Sequence, residues 1–314
     1  MESCYHVPIM LDEVLGLLRP ERGGIFVDGT LGGGGHSEGI LRRLGESGLG
    51  GRLFGIDRDS EAIAEAGARL ASYPAFTPVH GNFFEMKRLL APFGVEGADG
   101  ILLDLGVSSH QLDDGSRGFS YNADAKLDMR MDRDEALSAY EVINGYSTKR
   151  LTEIIRDYGE ERFASRIANA IDKARQAAPI ETTTELSEII KSAIPAPARR
   201  EGPHPAKRTF QAIRIEVNGE LAGLEKAVTD ACRFLNPGGI IAVITFHSLE
   251  DRTVKNVFKK LQHPCTCPPS APVCVCGRKQ EIEIITAKPL TASGGELTAN
   301  PRARSAKLRA ARRL

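Results

Sequence analysis

The sequence contains no tryptophan, and 12 Phe with 6 Tyr supply all of its aromatic surface, so its core is expected to be mostly aliphatic. It has no excess of either charge. The 41 Lys and Arg balance 41 Asp and Glu, so no overall basic field advertises nucleic acid, and any such surface must be local. Long apolar runs are missing as well: nothing approaches the roughly 18 residues of a transmembrane helix. The start, Met1-Glu2-Ser3-Cys4-Tyr5-His6, lacks the basic-then-apolar order of a signal peptide. Six cysteines in 314 residues are too few for a disulfide scaffold. These absences lead us to expect a soluble, cytoplasmic protein. A hydrophobic content of 41% with 26% charged residues is that of an ordinary globular chain, neither disordered nor fibrous. At roughly 100–200 residues per domain, the length suits one large domain or two smaller ones.

Short apolar runs alternate with helical patterns over the first third. Gly24-Ile25-Phe26-Val27-Asp28 has the character of a strand, and Ile40, Leu41 and Leu44 lie at helical spacing beyond it. Arg52-Leu53-Phe54-Gly55-Ile56-Asp57 is a second strand, followed by a helix capped near Ser60. Phe76–His80 and Gly100–Asp104 continue the rhythm, the latter as an apolar run of the kind buried on both faces. Such alternation predicts a doubly wound α/β fold with a parallel sheet.

The alternation then stops. Leu151, Ile154, Ile155 and Tyr158, then Phe163, Ile167 and Ile171, repeat at helical spacing, and Thr182-Thr183-Thr184-Glu185 forms a capping box before Leu186, Ile189 and Ile190. Residues 108–208 are therefore expected to be a helical insertion, with 1–107 and 209–314 making the α/β domain. One long amphipathic helix is expected through Phe210, Ile213, Val217, Leu221, Leu224, Val228 and Leu235, stopped by Asn236-Pro237-Gly238-Gly239. A central strand over Ile240–Phe246, a helix through Val254, Val257, Phe258 and Leu261, and a strand pair over Ile282–Thr286 and Ala306–Ala311 complete the pattern.

The turn Gly29-Thr30-Leu31-Gly32-Gly33-Gly34-Gly35-His36-Ser37 lies between a strand and a helix, where glycines let the chain turn tightly and let a ligand approach the backbone. Asp57 ends the next strand, 22 residues beyond Gly35, where a carboxylate can accept hydrogen bonds from ribose hydroxyls. No Gly-Lys-Ser/Thr is present at the turn, which excludes a triphosphate P-loop. The pattern is Asp-Gly-x-x-Gly-x-Gly rather than Gly-x-Gly-x-x-Gly. An acid at the strand end repels a pyrophosphate but suits a cationic ligand, which favours S-adenosyl-L-methionine over NAD.

Further motifs carry a resemblance. They are His6-Val7-Pro8-Ile9-Met10-Leu11, the Asp28–Ser37 turn, Gly55-Ile56-Asp57-Arg58-Asp59, Leu103-Asp104-Leu105-Gly106-Val107-Ser108-Ser109-His110-Gln111-Leu112-Asp113, Arg117-Gly118-Phe119-Ser120 and Leu127-Asp128-Met129-Arg130-Met131. Gly159-Glu160-Glu161-Arg162-Phe163, His204–Gln211, Phe246–Arg252 and Asn300–Ser305 extend the set. Over nearly the whole chain these resemble the bacterial small-subunit ribosomal RNA (cytosine-N4) methyltransferases, the MraW family. The resemblance implies a class I (Rossmann-like) methyltransferase fold with an all-helical substrate-recognition insertion, S-adenosyl-L-methionine as donor, and as target the N4 of a cytidine in the decoding centre (P site) of 16S rRNA. It places cofactor contacts on Gly34, Gly35 and His36, on Asp57 at the ribose, on Phe83 near the adenine, and on Asp104 and Gln111 flanking the loop after the fourth strand. For Phe83 a core role stays open, with Phe84 able to exchange places, and Gln111 could instead cap a turn.

The exocyclic amine of cytosine is a poor nucleophile because its lone pair is delocalised into the ring. Transfer needs acceptors that hold its N–H groups and turn the lone pair toward the methyl. Asp104, at the carboxyl end of a central strand, is the candidate, with Ser108, Ser109 and His247 on strand-end loops as further base contacts. A turn cap for Asp104 and a local hydrogen bond for His247 are the plain alternatives. The Asp/Asn/Ser-Pro-Pro-aromatic tetrad of many amino-methyltransferases is missing. Attack at cytosine C5 would need a thiol nucleophile, and Cys265 and Cys267 stand far along the chain from Asp104-Leu105.

Cys265-x-Cys267 and Cys274-x-Cys276 form a compact quartet that differs from the Cys-x₂-Cys spacing of most zinc knuckles. It is either structural zinc or a loop of reduced thiols, and no metal is assigned. Basic residues gather at Arg199-Arg200, His204 and Lys207-Arg208, and again at Arg302, Arg304, Lys307, Arg309, Arg312 and Arg313. Lys207, Arg208, Arg302 and Arg304 are the candidate phosphate contacts, whereas the acid-rich stretch 124–135 is expected to be loop scaffolding. The expected partner is 16S rRNA within the small ribosomal subunit, with no membrane, and a homodimer is left open. Two other readings stand beside the methyltransferase. One is a ribosome-assembly protein that keeps the fold without turnover, and the other is a nicotinamide dehydrogenase.

Overall fold

The structure is a computed structural model that describes residues 8–108, 111–112, 114–200, 204–268 and 275–314. The chain divides into two compact units, residues 1–106 with 221–314, and residues 107–220.

Among the described residues the first unit forms seven strands: β1 (Gly24–Asp28), β2 (Gly51–Asp57), β3 (Phe76–His80), β4 (Ala98–Asp104), β5 (Leu235–Thr245), β6 (Ile282–Ile284) and β7 (Lys307–Arg313). They make one sheet in the order β3-β2-β1-β4-β5-β7-β6. β1 to β5 pair in parallel, and β7 runs antiparallel between β5 and β6. This is the expected α/β class. Alternate side chains feed two aliphatic cores. Val27, Ile101, Leu103 and Val243 meet Val228 and Phe258 of the helices Leu224–Phe234 and Ser248–Gln262. Phe26, Leu102, Ala242 and Ile244 share the other core with Val14, Leu15, Ile40 and Leu41 from helices Leu11–Leu18 and Gly35–Ser47. Strand order reverses between β1 and β4, so a crevice opens at their carboxyl ends, where open α/β sheets bind ligands. Helix Ser60–Arg69 is capped by Asp59, one residue earlier than expected, its carboxylate accepting from the Glu61 N–H at 3.0 Å.

The expected single helix from Phe210 to Leu235 is two helices, Lys207–Asn218 and Leu224–Phe234. Gly219 ends the first in the left-handed region at φ 58°, as a helix C-terminus commonly requires. At Gly223, before the second, an added Cβ would stand 2.6 Å from the Phe84 ring. Phe210, Ile213 and Val217 belong to the core of the helical unit, whereas Leu224 and Val228 belong to the sheet. The helical unit therefore extends to Glu220 rather than stopping near residue 208. Asn236-Pro237-Gly238-Gly239, expected as a stop, is drawn into β5, whose pairing with β4 shifts register between Ala98 and Gly100.

Within the second unit, helices Ala139–Gly145, Thr148–Asp157, Ala164–Arg175, Thr183–Ala193 and Lys207–Asn218 close over Leu151, Ile154, Ile155, Ile167, Ile171, Leu186 and Ile190. Both halves of the Thr182–Glu185 capping box form, at 3.0 and 3.2 Å. The acid-rich stretch is scaffolding. Asp128 holds Arg130 at 2.7 Å, and Arg130 donates to the carbonyls of Arg133 and Glu135. Among the described residues no helix is long and apolar enough to cross a membrane.

Candidate active site

The site is built on the turn after β1. Asp28 is buried, accepts from Ser37 Oγ at 2.8 Å and from the Thr30 N–H at 3.2 Å, and burial pushes its carboxyl from 3.8 up to about 6 despite these donors. Thr30 Oγ1 in turn accepts from the Asp104 N–H at 2.6 Å, joining the turn to the end of β4. Gly34 takes the left-handed conformation (φ 75°) at the start of helix Gly35–Ser47, and a Cβ there would meet Ala66 and Leu70 at 3.2 and 3.1 Å. A Cβ on Gly35 would press on Pro8 at 3.3 Å, whereas one on Gly33 would meet nothing within 4 Å among the described residues. The turn is thus packed tightly at Gly34 and Gly35 and has room beside the Gly33 Cα, while the Gly33 carbonyl accepts from Arg69 Nη1 at 2.9 Å.

Asp57, at the end of β2, grips the same turn: one carboxylate oxygen accepts from the Gly32 N–H at 2.8 Å and the other from the Asp59 N–H at 2.9 Å. Burial raises its carboxyl above the usual value, opposed by those two donors. Each oxygen keeps a lone pair for a further donor. The structure separates the two neighbouring phenylalanines. Phe83 approaches the turn, its Cβ 3.1 Å from where a Gly29 Cβ would stand, while Phe84 covers Gly223. The rings meet edge to face at 4.9 Å.

Asp104 ends β4. Its Oδ2 lies 3.7 Å from His36 Nδ1, and the other edge of that buried imidazole donates through Nε2 to the Ile9 carbonyl at 2.9 Å. Asp104 Oδ1 is buried with no hydrogen-bond partner among the described residues. Burial lifts the Asp104 carboxyl to about 6; His36 opposes the rise, and Asp28 and Glu250 add to it. His36, expected as a cofactor contact, is packed between Ile9 and Asp104. Neither the His36–Asp104 pairing nor the Ser37 bond to Asp28 was anticipated from the sequence.

Ser108 and Gln111 lie in the helical unit and bond each other reciprocally, both at 3.1 Å, with Gln111 buried. His247 caps helix Ser248–Gln262: its Nδ1 accepts from the Glu250 N–H at 3.4 Å, and its Nε2 lies 3.0 Å from Glu250 Oε1. Ser109 and Cys274 are outside the described residues. Lys207 and Arg208 are exposed at the start of helix Lys207–Asn218, and Arg208 donates to the Glu160 carbonyl at 3.2 Å. Arg302 and Arg304 lie in the turn Pro301–Ser305, the second of them exposed. The basic run that follows is not one solvated face. Arg309 is buried against Asp251 at 2.6 Å, Lys307 reaches the same carboxylate at 3.3 Å, and Arg312 pairs with Glu283 at 3.4 Å. Strand β7 needs those pairs because it lies inside the sheet. Cys265, Cys267 and Cys276 bring their sulfurs together.

Asp28, Asp57 and Asp104 surround one glycine turn, and Asp104 retains an unused acceptor. That crevice fits a donor bearing an ammonium and a sulfonium better than a pyrophosphate. Together with the sheet order, it defines a class I methyltransferase that uses S-adenosyl-L-methionine. Residues 3–314 match the MraW methylase family, and the chain belongs to it. It is 54% identical over 309 residues to the ribosomal RNA small subunit methyltransferase H of Symbiobacterium thermophilum, covering 98% of this chain and 96% of the relative. The protein of the same name from Clostridium botulinum (strain Kyoto / Type A2) is 53% identical over 98% of this chain and 99% of its own length. That of Brevibacillus brevis is 54% identical over 99% of both chains.

Proposed function

We propose that the protein methylates the exocyclic N4 of a cytidine in the decoding centre of 16S rRNA, acting in the cytoplasm on the small ribosomal subunit. The observation that carries the chemistry is the buried, unpartnered Oδ1 of Asp104 at the carboxyl end of β4. An amine nucleophile needs an acceptor at that point, whereas attack through cytosine C5 needs a thiol. Cys232 is buried on helix Leu224–Phe234, and Cys265, Cys267 and Cys276 lie after helix Ser248–Gln262, so none of them stands at the β4 end in sequence. The names of the relatives support ribosomal RNA of the small subunit as substrate.

S-adenosyl-L-methionine supplies an electrophilic methyl group on sulfur. The chain does the rest. Gly34 and Gly35 shape the turn, Gly33 leaves space where a Cβ would stand, Asp57 would accept from the ribose hydroxyls, Phe83 would hold the adenine, and Asp28 would supply negative charge to a cationic donor. Asp104 accepts one N–H of the target amine and so turns the nitrogen lone pair out of conjugation with the ring. His36 positions Asp104. Unit 107–220, with Lys207 and Arg208, recognises the RNA, and Ser108 and Gln111 brace the loop that enters this unit. Arg302 and Arg304 add phosphate contacts.

Nucleoside mass spectrometry of 16S rRNA from cells with and without the protein tests this reading, together with transfer of a tritiated methyl to small subunits by the purified chain. Appearance of N4-methylcytidine supports it. C5-methylcytidine overturns the chemistry, and RNA binding without transfer would leave an assembly factor.

A further inference from the structure

We propose that Cys265, Cys267 and Cys276 hold a structural Zn²⁺. Their three sulfurs all lie within 4.8 Å of one another, and Cys276 Sγ is 3.8 Å from Cys265 Sγ. A tetrahedral zinc with Zn–S bonds of about 2.3 Å spaces its sulfurs by about 3.8 Å. A disulfide would need about 2.05 Å instead.

The surroundings point the same way. The thiols belong to the segment 263–281, which joins helix Ser248–Gln262 to β6. None of the described residues 263–268 and 275–280 is buried, and Val275 is 86% exposed, so no apolar core holds these described residues. Among the described residues of this stretch, three sulfurs gather. The Val275 N–H donates to Cys267 Sγ at 3.4 Å, the kind of outer bond that steadies a thiolate ligand. Gly277 follows Cys276 in the left-handed region (φ 65°).

Topology places the cluster away from the chemistry. β5 ends at the carboxyl edge of the sheet, helix Ser248–Gln262 runs back, and β6, parallel to β5, starts from the amino edge. The glycine turn lies at the carboxyl edge. The ion therefore staples the approach to β6 and takes no part in transfer. Three thiolates and a borderline-soft cation are the matching chemistry, with the fourth position completed by water or another donor.

The test uses the full chain, without a histidine tag, reduced and stripped with a chelator, then titrated with Co²⁺ and Zn²⁺. The expected result is one Co²⁺ per chain, with thiolate-to-cobalt charge-transfer absorption that Zn²⁺ abolishes at equal stoichiometry. Cys265→Ser and Cys276→Ser should each weaken Co²⁺ binding by more than about 100-fold, since even outer partners of a ligand account for 10–100-fold. S-adenosyl-L-methionine binding should stay unchanged in both variants and report an intact fold. Absence of the charge-transfer band in the wild-type chain, or undiminished Co²⁺ binding in either variant, overturns the proposal. If a variant does not fold, the wild-type spectrum and stoichiometry decide alone.

Discussion

His36 Nδ1 and Asp104 Oδ2 stand 3.7 Å apart, while His36 Nε2 donates to the Ile9 carbonyl. A carbonyl only accepts, so the Nε2 hydrogen is fixed, and in the neutral ring it is the Nδ1 lone pair that faces the carboxylate. The contact attracts only when a proton rests on one of the two. Through this pair the helix after the glycine turn influences the charge at the end of β4.

Methyl transfer should therefore be lost as pH falls through about 6, the value to which burial lifts Asp104. Below it the carboxyl is neutral and a weaker acceptor; above it the carboxylate is available and the rate levels off. His36→Gln removes the imidazole that opposes the rise, so the midpoint should move upward. Single-turnover rates against pH check both statements, and an unmoved midpoint would leave His36 a packing residue.

Asp104→Asn should slow transfer by about 100–1,000-fold, the usual loss when one preorganised group at a reacting centre is removed. RNA affinity should hardly change. Tritium transfer and filter binding separate the two effects, and a normal rate would make Asp104 a turn cap.

Asp28→Asn should stabilise the fold near neutral pH while weakening cofactor binding. The folded carboxyl titrates near 6 rather than 3.8. The stability linked to its protonation is complete below the unfolded value and is lost as pH rises through about 6. The cost of burying the charge above that pH is on the order of 2–3 kcal/mol. Melting temperature against pH should flatten in the variant, and calorimetry should show weaker S-adenosyl-L-methionine binding.

Asp57→Ala should reduce cofactor affinity by on the order of 2–3 kcal/mol, the worth of charge-assisted bonds to the ribose. The loss includes release of the Gly32 and Asp59 N–H groups that its carboxylate now holds. Unchanged affinity by calorimetry would remove Asp57 from the site.

Lys207 is exposed on the first turn of its helix, where a cation opposes the helix dipole. Helix stability gives no reason for it. Lys207→Glu should weaken binding to assembled small subunits and lower the salt slope of that binding, because fewer counterions are released. A short oligonucleotide of the target sequence should be a poor substrate, since a cytidine in folded RNA is selected by shape. Efficient, salt-independent methylation of the oligonucleotide would count against this role.

Strands β1, β2, β4 and the Ile240–Thr245 part of β5 were legible because short apolar runs leave few alternatives, whereas Leu235–Gly239 was expected to end a helix. The glycine turn with Asp57, whose spacing is local, was legible too. The break at Gly219 was not, because Phe210, Ile213 and Val217 form the same stripe as Leu224 and Val228 whichever core they enter. The partnership of His36 and Asp104 joins residues distant in sequence and leaves no periodic trace. In β7, Lys307 and Arg309 resemble a nucleic-acid patch until the sheet brings Asp251 beside them.

β7 follows β6 in the chain yet lies between β5 and β6. As the chain is synthesised, β6 emerges before the neighbour it must pair with, and the flank of β5 stays bare. The sheet can close only when residues 307–313 have been released and slot between two strands made earlier. Until then the growing protein displays an open, apolar strand edge, the kind of template on which wrong pairing begins. Shielding of the bare β5 edge therefore matters most in the interval before residues 307–313 leave the ribosome.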